Sequence, residues 1–155
     1  MRIRILWPGK TRSTDVRRLQ EFYLGRINQL EKCEVIETKT AKNLPEKFAQ
    51  KIKEIEASEL EKHFKNDYII CLFHEGKEMS SIELARFLKK LSVSSARAIT
   101  FVVGGFLGLE ERILKKADIL LSLSRMTFSH ELSRIMLLEQ IYRSLMIIKG
   151  RQYAK

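Results

Sequence analysis

Short runs of consecutive apolar residues alternate along this chain with longer stretches in which apolar positions recur every three or four residues. These two patterns belong to buried strands and to helices packed by one face. Ile3-Arg4-Ile5-Leu6-Trp7, stopped by Pro8-Gly9, reads as a first strand. Ser13 or Thr14 then offers an N-cap for a helix carrying Val16, Leu19, Phe22, Tyr23 and Ile27. Val35-Ile36 centres a short second strand. Asn43, with Pro45 just inside, opens a helix with Phe48, Ile52, Ile55 and Leu60 on one face. Tyr68-Ile69-Ile70-Cys71-Leu72-Phe73 and Ala98-Ile99-Thr100-Phe101-Val102-Val103 are apolar almost throughout, as strands covered on both faces of a parallel sheet must be. Ser80-Ser81-Ile82-Glu83 forms a capping box for a helix bearing Leu84, Phe87, Leu88 and Leu91. A short helix from about Glu110, a fifth strand at Ile119-Leu120-Leu121-Ser122-Leu123 and a long helix from about His130 to Ile148 complete the chain. The alternation predicts an α/β fold, a mainly parallel sheet flanked by helices on both faces, in one domain spanning residues 1–155.

Composition narrows the class. With 45% hydrophobic residues, seven Gly and two Pro, the chain is neither disordered nor collagen-like. No apolar run approaches the roughly 18 residues of a membrane span. The N-terminus lacks the apolar stretch of a secretory signal, so a cytoplasmic protein without a membrane partner is expected. Cys33 and Cys71 have no metal-ligand spacing and are expected as reduced thiols. His63, His74 and His130 form no cluster, so no metal is expected. Charge points elsewhere: 29 Lys and Arg against 19 Asp and Glu leave a net charge of +10. An excess of this size on one small domain suits a polyanionic partner, a nucleic acid or an anionic membrane surface. It gathers near the two ends, at Arg2, Arg4, Arg12, Arg17, Arg18 and Arg26, and at Arg143, Lys149, Arg151 and Lys155.

In open α/β sheets ligands bind beyond the carboxyl ends of the strands. Three such ends carry unusual residues: Leu72-Phe73-His74-Glu75-Gly76-Lys77, Gly104-Gly105-Phe106-Leu107-Gly108, and Ser122-Leu123-Ser124-Arg125-Met126-Thr127-Phe128-Ser129-His130. Paired glycines bring bare backbone close to a ligand, or simply make a tight turn. Neither the dinucleotide fingerprint nor the triphosphate loop is present, and there is no nucleophile elbow. The hydroxyl-rich third segment suits a flat, partly apolar group such as adenine, read by backbone amides and carbonyls. His130 is a capping or packing residue or a site residue. Glu139 and Arg143 stand in i,i+4 relation on the last helix, ordinarily a stabilising pair.

Together these segments resemble one family. Phe101-Val102-Val103-Gly104-Gly105, Leu121-Ser122-Leu123-Ser124, Met126-Thr127-Phe128-Ser129-His130-Glu131-Leu132-Ser133-Arg134 and Leu137-Leu138-Glu139-Gln140-Ile141-Tyr142-Arg143 are similar to motifs of the RlmH (YbeA-like) SPOUT methyltransferases. So is the tail Ile147-Ile148-Lys149-Gly150-Arg151-Gln152-Tyr153-Ala154-Lys155. The resemblance covers the full length and implies a C-terminal trefoil knot, an exception to the usual absence of knots. It also implies a homodimer, S-adenosylmethionine as cofactor, and methylation of N3 of a pseudouridine in the intersubunit helix of 23S ribosomal RNA on assembled ribosomes. Carried onto this chain, it assigns the cofactor to Leu72, Gly104, Gly105, Leu123, Ser124, Arg125, Met126, Thr127 and Phe128. A side chain at position 105 is then expected to fill the cofactor cavity. His130 and Glu139 become candidate proton acceptors, and Arg134, Arg143, Arg151, Tyr153 and Lys155 candidate RNA contacts. Ser129, Gln152 and Ala154 stand where the family commonly has Pro, Pro and His. The two tail departures define a second reading, a knotted RNA- or cofactor-binding protein without methyltransferase activity.

Overall fold

The computed structural model describes residues 1–41, 43–94 and 97–153. Its elements are β1 (Arg2–Pro8), α1 (Thr14–Asn28), β2 (Lys32–Thr38), α2 (Ala49–Glu61), β3 (Tyr68–Glu78), α3 (Ser81–Ser94), β4 (Ile99–Val102), α4 (Glu111–Lys115), β5 (Ile119–Ser122) and α5 (His130–Ile148). The five strands form one sheet in the order β2-β1-β4-β3-β5, and every pairing is parallel. Strand alternation divides the core. Ile3, Ile5, Trp7, Ile70, Ile99 and Phe101 meet Ile27, Leu84, Leu88, Leu138 and Ile141 of α1, α3 and α5 on one face. On the other, Leu6, Ile69, Cys71 and Val102 meet Ala57 and Leu60 of α2 and Ile113 of α4.

The caps work as their residue types require. Ser13 accepts from the Val16 amide, and Ser80 and Glu83 exchange hydrogen bonds with each other's backbone amides at 3.2 and 2.7 Å. Asn43 instead adopts a left-handed turn (φ 61°), a conformation its short polar side chain tolerates. Pro45 leads into a 3-10 turn, Glu46–Phe48, so the helix proper begins only at Ala49. Cys33 and Cys71 are free and buried, and burial pushes each thiol up to about 12.

Two helices are rotated from the faces their apolar spacing predicts. In α1, Leu19 and Phe22 are exposed, while Gln20 is buried and receives a hydrogen bond from the Thr11 hydroxyl at 2.6 Å. In α2 the buried residues are Glu56, Ala57 and Leu60, which brings Lys53, one turn before Glu56, onto the same side. Arg4 does not belong to the basic surface. It is buried and pairs with Asp67 at 2.6 Å, whose carboxylate also accepts from the Thr100 hydroxyl.

The last helix returns across the sheet. β5 is an edge strand, yet α5 packs between α1 and α3. Its first turn is tied to the loop after β1: the Glu131 carboxylate accepts from the Arg12 and Ser13 amides, and Arg134 donates to the Pro8 carbonyl at 2.7 Å. The segment between β5 and α5 therefore crosses the carboxyl ends of the strands. This crossing builds the site.

Candidate cofactor cavity

A cavity of about 520 Å³ lies where the ends of β4 and β5 and the middle of β3 meet the start of α5; β3 runs on to Glu78, so the segment 72–77, expected at the end of that strand, lies within it. Leu72, Phe73 and His74 of β3 form one wall, residues 103–109 a second, and Leu121, Leu123, Ser124 and residues 126–130 a third. Backbone proximity makes the second wall. The Gly108 amide donates to the Gly105 carbonyl at 3.0 Å, folding residues 104–108 into a tight loop. Gly108 takes φ +79°, which favours glycine. A Cβ on Gly104 would lie 2.8 Å from the Gly108 carbonyl carbon and 3.0 Å from the Leu109 nitrogen, so only hydrogen fits there. The third wall is shaped by hydroxyls: the single Ser122 hydroxyl proton lies within reach of both the His74 and Ser124 carbonyls, at 3.0 and 2.9 Å, and the Ser124 hydroxyl accepts from the Met126 amide. Phe106 and Met126, both more than two-thirds exposed, stand at the rim.

The cavity gathers most of the residues expected from sequence: Leu72, Gly104, Gly105, Leu123, Ser124, Met126, Thr127, Phe128 and His130. Arg125 departs from that expectation. Its side chain is 90% exposed and pairs with Glu78, because the loop that turns its neighbours inward turns this residue out. Gly105 lines the cavity, but a Cβ there would meet the Glu56 carboxylate at 2.9 Å, which is not part of the lining. The first contact of a side chain at 105 is thus with the tip of Glu56 on α2. Burial raises the Glu56 carboxyl above its ordinary range, opposed by the charge of Arg134.

His130 sits at the mouth, edge-on to Phe106 at 6.3 Å between ring centroids. Partial burial lowers its pKa, helped by the charges of Arg134 and Arg12 and opposed by Glu131. Its helix is capped by Ser129, whose hydroxyl accepts from the Leu132 amide. The departure from the family's Pro thus supplies a side-chain cap at that position.

Arg134 is not a surface RNA contact. It is 1% exposed, donates to Pro8 and to the Thr11 hydroxyl and lies 4.8 Å over the Trp7 ring. Desolvation lowers it to about 10, so it remains a cation at neutral pH, spent on holding the β1–α1 loop against α5. Glu139 does not line the cavity. It lies nine residues beyond His130, about 13 Å along the helix axis, and receives Arg143 at 2.6 Å and Gln140 at 2.7 Å. Arg143 stacks over Tyr153 at 4.2 Å, and burial together with Glu139 and Tyr23 pushes the Tyr153 phenol up to about 12. Arg151 is exposed. Ala154 and Lys155 lie outside the described residues. Among the described residues no group of three His, Cys, Asp or Glu gathers to hold a metal ion, and no helix is long and apolar enough to cross a membrane.

Sequence reading named Phe73 and His74 only as part of a candidate ligand-binding segment and gave no cavity role to Lys53, Val103, Leu109 or Ser133, which also line it. The position of Lys53 beside Glu56 and Leu60 at helical spacing was the available signal.

A sequence profile of the family described as "Predicted SPOUT methyltransferase" matches residues 1–154. The chain belongs to this family. It is 39% identical to ribosomal RNA large subunit methyltransferase H of Clostridium beijerinckii and 38% identical to that of Bifidobacterium adolescentis, in each case covering all of both chains. The resemblance carried by its motifs is thereby borne out, and the chain is a methyltransferase. Among solved structures it resembles a probable methyltransferase from Bordetella pertussis, with TM-score 0.58 and 14% identity, over 93% of this chain and 96% of that one. A probable methylase family protein from Haemophilus influenzae gives TM-score 0.56 at 11% identity, over 99% and 70%. At those identities the structures establish the α/β architecture of the methyltransferase and nothing finer.

Proposed function

We propose that this methyltransferase uses S-adenosylmethionine to methylate large-subunit ribosomal RNA, at N3 of a pseudouridine in the intersubunit helix of 23S RNA on assembled ribosomes. The observation that carries the reading is the cavity itself, whose bare glycine backbone, apolar strand ends and hydroxyl-shaped loop converge within a volume suited to one cofactor-sized molecule. The lining fits that cofactor: Leu72, Leu123, Met126 and Phe128 offer apolar surface to adenine, and the backbone of 104–109 approaches with no side chain at Gly104 or Gly105. Bound there, S-adenosylmethionine would supply a methyl group already activated by its sulfonium charge.

The chain's own residues supply placement and a proton acceptor. His130, whose partial burial disfavours protonation, is within the cavity lining and is the candidate to take the imide proton of the target base. Holding the reactants in line is the larger contribution. Arg143, Arg151 and Lys155 are proposed to meet RNA phosphates, and Tyr153 to stack on the target base.

One chain does not unite these groups. Glu139, Arg143 and Tyr153 sit along α5 and the tail, away from the cavity. A homodimer in which one copy's tail meets its partner's cavity would unite them. The exposed Leu19 and Phe22 of α1 support such pairing. The return of the chain from edge strand β5 across the strand ends to the β1–α1 loop supports a knotted C-terminal part. A cytoplasmic location follows from the substrate. The deciding experiment incubates the purified protein with radiolabelled S-adenosylmethionine and ribosomes lacking the modification, then maps the label. Label at the pseudouridine N3 is expected. Donor binding without incorporation would leave an RNA- or cofactor-binding protein instead.

A further inference from the structure

Among the described residues, Lys53 is the one cavity residue contributed by α2. It is half-buried, and among the described residues it makes no ion pair. Among the described residues no Asp or Glu lines the cavity, and the other ionisable lining groups are His74 and His130. Lys53 is thus the one ammonium-bearing residue among the described lining residues, and no carboxylate lines the cavity beside it. A lysine in that position is a point charge awaiting an anionic group. On the proposed reading, the adenosine part of the donor is neutral and its amino-acid end bears the carboxylate.

We propose that Lys53 is a specificity-determining residue that binds the α-carboxylate of the donor's amino-acid end and so fixes the direction in which the ligand lies. This rests on the reading of the cavity as an adenosyl-donor site. Helical spacing explains the placement: Lys53 stands one turn before Glu56 and two before Leu60, and those two are buried, which carries the lysine to the sheet side of α2. Glu56 forms no ion pair with it; the charge acting on the Glu56 carboxyl is that of Arg134.

Calorimetric titration of the full chain with three ligands tests the assignment. S-adenosylmethionine and S-adenosylhomocysteine carry the carboxylate; 5′-methylthioadenosine keeps the adenosyl thioether and lacks the amino-acid end. Lys53→Met keeps the stem and removes the charge. It is expected to weaken the first two about tenfold, the size of one charge-assisted hydrogen bond in a partly open site. The third should be unchanged, and Lys53→Arg should recover most of the loss. Equal weakening of all three ligands would mean that the lysine only shapes the wall, and unchanged binding of all three would mean that it touches none. Either result overturns the proposal, as would weakened ribosome binding with donor affinity intact, which would move Lys53 to the RNA. Failure of the wild-type protein to bind any of the three would instead overturn the donor-site reading beneath it.

Discussion

Replacing Gly104 and Gly105 in turn by alanine separates the two things that glycine does in the cavity wall. At Gly104 the added methyl would lie 2.8 Å from the Gly108 carbonyl carbon, 2.9 Å from its Cα and 3.0 Å from the Leu109 nitrogen, all of them backbone. None can rotate away, so the loop 104–109 must open by roughly half an ångström or more. Overpacking that forces backbone shifts costs about 1–3 kcal/mol. If the donor binds only the closed loop, that cost appears as a loss of affinity of about fivefold to a hundredfold. If the closed loop is already strained in the free protein, it appears as a fall in Tm of about 2–10 °C for a chain of this size. At Gly105 the obstacle is the tip of the Glu56 side chain at 2.9 Å, which can turn aside. Gly105→Ala should therefore weaken donor binding less than Gly104→Ala, and Glu56→Ala should restore it in the double variant while failing to rescue Gly104→Ala. Titration calorimetry with S-adenosylmethionine, paired with scanning calorimetry, measures both quantities. Wild-type affinity and Tm for Gly104→Ala would refute the backbone argument, and absence of rescue at Gly105 would refute the assignment of Glu56 as its neighbour.

Arg134→Met should lower stability by about 2–3 kcal/mol, the loss of charged hydrogen bonds to Pro8 and Thr11, measurable by urea unfolding; a change within half a kcal/mol would return Arg134 to the surface. The methyl-transfer rate should fall as pH drops through a His130 pKa below the ordinary 6.5, since only the neutral ring accepts a proton. Stability should fall in the same direction, because the unfolded chain then binds the proton more readily than the folded one. An acid limb of the rate that survives in His130→Gln would assign the proton to another group. Charge reversal at Arg143 and Arg151 should weaken ribosome binding and flatten its salt dependence by about one unit of slope per cation, with donor affinity unchanged. Loss of both together would signal misfolding.

Where the sequence could be read correctly, the reason was local. A capping box needs only Ser80 and Glu83 three residues apart, and the apolar runs of β3 and β4 declare burial on both faces because any polar residue there would be stranded. The cavity-lining segments were legible for a related reason, since two of them follow directly from β4 and β5, while the third lies within β3 where its register with β5 shifts after Leu72. Misreadings arose where a helix face depends on what docks against it. Leu19 and Phe22 share the helical spacing of Val16 and Ile27, yet Gln20 faces inward because Thr11 offers it a hydroxyl.

The fold class, the order of its elements, the helix caps and the glycine-lined strand end are thus written in neighbouring residues and their spacing. Tertiary structure alone decided the fate of the charges. Arg134 is buried because Thr11 and Pro8, more than 120 positions earlier, arrive with acceptors. Glu139 is separated from His130 by the rigid rise of one helix, and Lys53 enters the cavity through the rotation of α2. A charged side chain is buried or exposed according to partners brought together by the fold, and no local pattern encodes where those partners will be.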